Sequence, residues 1–141
     1  MFELHPQLAA DCVVVGDLPL CRVLLLNDSQ YPWLILVPRV AGLRELCELD
    51  AEQRRQYSHE SDLAAGVLNT VFGAEKLNIA ALGNMVPQLH IHHIARFAND
   101  PCWPKPVWGQ LPAVPYTEAA RAERLASLRQ ALAAEPDFAA G

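Results

Sequence analysis

The sequence predicts an α+β fold: an antiparallel sheet with a main helix packed on one face and a further helix near the C-terminal end. Three observations predict it: short apolar, β-branched runs separated by turn residues, one long stretch of helical spacing mid-chain, and an alanine-rich stretch late in the sequence. With 141 residues, 52% of them hydrophobic, the chain is long enough to bury a core without disulfide or metal staples. The whole of 1–141 reads as a single domain with its core at about 12–97.

The run Cys12-Val13-Val14-Val15, closed by Gly16-Asp17 and Pro19, is the first expected strand. Cys21 to Leu26 is the second, ending at Asn27-Asp28-Ser29, and Trp33 to Val37 is the third, ending at Pro38. Connections this short favour antiparallel pairing. Asp50 stands as an N-cap, and Tyr57, Leu63, Val67, Leu68 and Phe72 recur at near-helical spacing up to Gly73, which predicts a helix over 51–72. A weaker pattern at Leu43, Leu46, Cys47 and Leu49 suggests a helical turn before it. Leu77 to Leu82 and Gln88 to Phe97 read as two more strands, parted by Gly83-Asn84 and Pro87. The proline- and tryptophan-bearing stretch 99–115 is an expected ordered loop, and Thr117 caps a last helix at about 118–134 with Leu125, Leu128 and Leu132 as its buried stripe.

A formal charge of −5 with no run of lysines or arginines argues against a nucleic-acid polymer as partner. A small anionic ligand stays open, since a few local donors hold a phosphate in an acidic protein. The four cysteines show no CxxC spacing and the start Met1-Phe2-Glu3 lacks a basic leader, so a reducing cytoplasm is the expected setting. The apolar runs fall far short of the roughly 20 residues a membrane span needs.

Chemistry concentrates at Gln88-Leu89-His90-Ile91-His92-His93. On a strand, side chains alternate, so Gln88, His90 and His92 share one face while Leu89, Ile91 and His93 face the core. A neutral imidazole is a competent nucleophile near pH 7, and it also leaves phosphorus readily, so a histidine can carry a phosphoryl or nucleotidyl group transiently. His93, on the apolar side, reads as a satisfied core histidine. Arg96 shares the parity of His90 and His92 and is a candidate to clamp a phosphate or to pair with a nearby carboxylate, with the parity favouring the phosphate. Trp103 and Trp108 are candidates to stack on a base or wall off the pocket, and Lys105 to meet a phosphate.

This segment resembles the histidine-triad (HIT) family, whose signature is three histidines alternating with hydrophobic residues on one strand. The likeness covers most of 12–97 and implies a HIT-like sheet. It implies a nucleotide hydrolase or nucleotidyl transferase, acting on a phosphate ester or phosphoramidate such as a dinucleoside polyphosphate, through a nucleotidyl-histidine. By position, the nucleophile is His90, His92 bonds around the phosphate, and Gln88 takes the first triad place, where an amide can donate but cannot deliver a proton as imidazolium does. The Gln exchange together with the Trp-Pro loop is similar to a bacterial subgroup. Tyr31-Pro32-Trp33 departs from a Pro-Gly-His turn found in many relatives. The likeness also points to Asn27 on the ribose side, to Asn84 at the phosphate or leaving group, and to a homodimer, with no cofactor. Two other readings stand beside it: a nucleotide-binding protein with little turnover, and a metal site on His90 and His92.

Overall fold

The computed structural model describes residues 1–141. Turn chemistry and apolar alternation place six strands in one antiparallel sheet. Following the short helix α1 (Pro6–Asp11) come β1 (Cys12–Asp17), β2 (Cys21–Leu26) and β3 (Trp33–Pro38), then α2 (Ala51–Phe72), β4 (Lys76–Ala80), β5 (Ile91–Arg96), α3 (Glu118–Leu132) and β6 (Ala139–Ala140). The strand order is β4-β5-β3-β2-β1-β6. Helix α2 starts where Asp50 accepts a hydrogen bond from the Gln53 N–H at 2.8 Å, and it ends at Gly73, whose φ of 67° suits glycine. Thr117 caps α3 by accepting from the Ala120 N–H at 3.1 Å.

Both faces of the sheet are covered. Val23, Leu25, Leu34, Leu36 and Ala95 pack with Ala64, Val67 and Leu68 of α2 and with Leu125, Leu128 and Leu132 of α3. The other set, Leu24, Trp33, Ile35, Val37 and Ile94, packs with Leu8 of α1, Val86 and Val107. Alternation along β2, β3 and β5 sorts these residues by face. The sequence predicts a main helix on one face and says nothing of what covers the other. Helix α1 and the loop 99–115 roof that second face, so β3 is buried along its whole length.

The start of β5 and the elements at the two ends differ from the sequence reading. Residues 88–90 do not join β5: the Leu89 N–H donates to the Leu43 carbonyl at 3.0 Å, drawing that segment toward the loop before α2. The helical turn expected before α2 is present, as a single 3-10 turn at Leu46–Glu48. Helix α1 and β6 were not foreseen, although His5-Pro6 fits a proline in the first helical turn. Glu60 of α2, fully buried, accepts from the Leu20 and Cys21 N–H groups at 2.9 and 2.7 Å and so ties the main helix to the start of β2. No helix is long and apolar enough to cross a membrane.

Candidate active site

Strand β5 lies between β4 and β3, with His92 opposite Ile35 on one side and Ala80 on the other. Pairing on both sides fixes the backbone that carries His92 and His93, and His90 directly precedes the strand. His90 and His92 line a cavity of about 320 Å³ with Leu82, Gly83, Asn84, Met85, Val86 and Trp108. Two of the residues singled out in the sequence, Asn84 and Trp108, therefore meet the two histidines in one concavity. Gly83, with φ of 75°, permits the turn that carries Asn84 over the site.

The ring protons follow from the hydrogen-bond partners. His90 Nδ1 lies 2.8 Å from the Gln88 carbonyl, which only accepts, so Nδ1–H donates and the Nε2 lone pair is left free. His92 is the reverse: the Trp33 indole N–H, a donor only, donates to His92 Nδ1 at 2.9 Å, so the neutral ring carries its proton on Nε2. The rings meet edge to face with centroids 5.1 Å apart, and Trp108 stands edge-on to His92 at 5.2 Å. One imidazole offers a lone pair and its neighbour an N–H. Burial, reinforced by nearby His90 and His93, lowers the His92 pKa from 6.5 to about 4, so this ring is neutral at pH 7.

His93 turns to the helix face. Its Nδ1–H donates to the Ile91 carbonyl at 3.1 Å, and the Ser61 hydroxyl donates to Nε2 at 2.8 Å, so both nitrogens are satisfied. It is a core histidine, fully buried.

Five other sequence candidates are placed away from the histidine cavity. Arg96 is 1% exposed and saturated by protein: it pairs with both Asp100 oxygens at 2.8 and 3.1 Å and donates to Asn78 and to the Lys105 carbonyl, each at 2.8 Å. Of the two expectations for Arg96, the carboxylate pair is the one present and the phosphate clamp is corrected, because the guanidinium anchors the loop 99–115 through Asp100. Trp103 lies over Arg96, 5.5 Å from ring centroid to guanidinium carbon, and lines a separate cavity with Lys105. The Asn27 amide oxygen accepts from the Tyr116 N–H at 2.9 Å, fixing the approach to α3. Gln88 was expected beside the two histidines. Its side chain is turned to the N-terminal arm, accepting from the His5 N–H and donating to the Glu3 carbonyl, both at 2.8 Å.

Trp33 is the contact to His92 that the sequence reading missed. In the sequence it stands only as a departure from a Pro-Gly-His turn, whereas its indole N–H sets the His92 tautomer. The available signal was chemical: an indole is a donor with no lone pair to offer. Among His, Cys, Asp and Glu, no group of three or more is positioned to hold a metal ion.

The HIT domain family matches residues 7–99. A histidine triad protein of Marinobacter aquaeolei has a similar crystal structure, with 52% identity over 95% of this chain and 98% of that one and a TM-score of 0.92. Histidine triad proteins of Sinorhizobium meliloti and Bradyrhizobium japonicum follow at 43% and 42% identity, with TM-scores of 0.90 and 0.89. They cover 94% and 92% of this chain, and this chain covers 98% and 96% of theirs. Among curated proteins there is no match.

Proposed function

Because this chain belongs to the HIT domain family, one of nucleotide-binding hydrolases and transferases, we propose that it cleaves a nucleotide phosphate ester or phosphoramidate through a nucleotidyl-His90 intermediate. The observation that carries the reading is the paired tautomers: a free lone pair on His90 Nε2 next to an N–H on His92 Nε2, opening on one cavity. In the first step the His90 lone pair forms an N–P bond to the α-phosphorus. The bond to the departing group breaks, and its electron pair leaves with that group. His92 donates to a non-bridging oxygen, whose charge grows in the transition state. Water or an acceptor hydroxyl then attacks phosphorus, the N–P bond breaks, its pair returns to Nε2, and the attacking oxygen loses a proton to solvent. Asn84 and Trp108 contact the substrate from the cavity wall.

With the Gln88 amide held by the arm, no side chain of the first triad place hands a proton to the departing group. Good leaving groups, phosphates above all, are therefore favoured over amines and alcohols. The reading includes a homodimer, supported by the unpaired outer edge of β4 with half-exposed Ile79. Adenosine phosphoramidate, a dinucleoside polyphosphate and a nucleotide sugar are the test substrates. Turnover of at least one, surviving a chelator and lost in His90→Ala, is the expected result; turnover that persists in His90→Ala contradicts it.

A further inference from the structure

Residues 1–5 form an arm ahead of α1 that is tied into the fold by apolar and polar groups alike. Phe2 and Leu4 pack against the buried cluster that holds Leu8, Trp33, Ile35 and Ile94, and the Arg22 guanidinium carbon stands 5.6 Å from the Phe2 ring centroid. The backbone of the arm is clasped by one side chain more than 80 residues further along the chain: Gln88 Oε1 accepts from the His5 N–H and Gln88 Nε2 donates to the Glu3 carbonyl, each at 2.8 Å. An amide suits this grip because it carries a donor and an acceptor side by side, whereas a carboxylate lacks the donor and an ammonium lacks the acceptor.

The same residue reaches the nucleophile through its own carbonyl, which accepts from His90 Nδ1–H at 2.8 Å. Residues 88–90 lie outside the ladder of β5, so strand pairing does not hold that carbonyl. Its peptide plane is held at one end by the Leu89 N–H, which donates to the Leu43 carbonyl at 3.0 Å, and at the other by the clasp on Gln88. We propose that the arm is a positioning strap for the nucleophile: clasped to Glu3 and His5, Gln88 keeps its carbonyl on His90 Nδ1–H and so keeps the ring's free lone pair on Nε2. This rests on the nucleotidyl-transfer reading and adds to it Gln88 as a positioning residue.

A neutral imidazole places its proton according to the partner of each nitrogen. With the carbonyl displaced, ring rotation and tautomer are both loosened, and a lone pair on Nδ1 faces the backbone instead of the cavity. Misplacing a nucleophile slows the chemical step and leaves substrate binding largely intact. The side chain at the first triad place thus acts on the reaction through His90, without touching substrate.

Two variants break the clasp from opposite sides. Gln88→Met keeps the length of the side chain and removes both hydrogen bonds. His5→Pro removes the arm's N–H at a residue whose φ of −55° suits proline, and it is read against His5→Ala, which loses the same side-chain cap on the Gln7 N–H but keeps its own N–H. Ring-nitrogen NMR shifts of the unliganded protein report the His90 tautomer without turnover: the proton sits on Nδ1 in the wild type, and both variants are expected to move it toward a mixture. On whichever test substrate the wild type turns over, each is expected to lower kcat about tenfold with KM within twofold, and the double variant to fall no further than either alone, since both break one clasp. Thermal melting checks that each variant is folded. A His90 tautomer unchanged in both variants, or losses in kcat that multiply in the double variant, overturns the strap and leaves the His90 reading standing. Absence of turnover in the wild type overturns that reading, while the NMR shifts still decide whether the arm sets the ring.

Discussion

His92 and His93 are adjacent on β5, are both buried, and both have pKa values pushed down to about 4, yet their surroundings differ. The helix-facing ring has both nitrogens satisfied, by Ser61 and the Ile91 carbonyl. The other faces the cavity with one nitrogen held by Trp33 and the second unpartnered, and His90 repeats that pattern with the Gln88 carbonyl. Burial and a shifted pKa do not separate a structural histidine from a chemical one. The ring nitrogen left without a partner, beside a space that can hold phosphorus, does.

The largest expected effect breaks the comparison if it fails. His90→Ala lowers turnover by roughly 10⁴-fold or more with little change in stability, as loss of a nucleophile does elsewhere. His93→Ala has the opposite profile, a fall in the unfolding midpoint with the chemistry of the folded fraction retained. Steady-state rates and urea melts on the same samples read both.

Next in size, Arg96→Met leaves Asp100 buried and unpaired and costs about 3–5 kcal/mol in urea unfolding. In the wild type, burial pushes the Asp100 carboxyl up, but hydrogen bonds from Arg96 and Phe97 outweigh it and hold it below the usual range. If Arg96 were a free phosphate clamp, the variant would lose substrate affinity and keep its stability.

A pH series sharpens the shared property of the two rings. Their pKa falls from 6.5 to about 4 on folding, chiefly through burial, so between those values the unfolded chain binds more protons. Stability is therefore full above pH 6.5 and is lost as pH falls toward 4, by roughly 3 kcal/mol for His93 alone. A melting temperature flat across this window contradicts the buried, neutral assignment. Smallest of the four, Trp33→Phe removes the donor to His92 Nδ1 and lowers turnover roughly tenfold, the size of one hydrogen bond. Imidazole nitrogen shifts in NMR spectra should show His92 released from its Nε2–H tautomer, with His93 unmoved.

Much of this was legible in the sequence because it depends on local chemistry. Asp50 and Gly73 bracket α2, the β-branched runs mark β1 to β3, and the alternation at 90–93 sorts His90 and His92 from His93. What escaped depends on contacts distant in sequence. Gln88 has the right parity for the site, but the Leu43 carbonyl draws its neighbour off the strand and the arm takes its amide. Arg96 also has the right parity, but its own downstream loop folds back to supply Asp100, and nothing periodic in 99–115 announces that. Asn27 stops a strand, and its amide finds a backbone N–H 89 residues away. Side-chain parity predicts a face; it does not predict what covers that face.

The most direct test of the account is a rapid acid quench of the protein with a turned-over nucleotide substrate, followed by peptide mapping of the phosphoramidate adduct. A nucleotidyl group on His90, absent from His92 and His93 and gone in His90→Ala, is the predicted result. An adduct on another residue, or full turnover with no adduct under quench conditions that preserve an N–P bond, contradicts it.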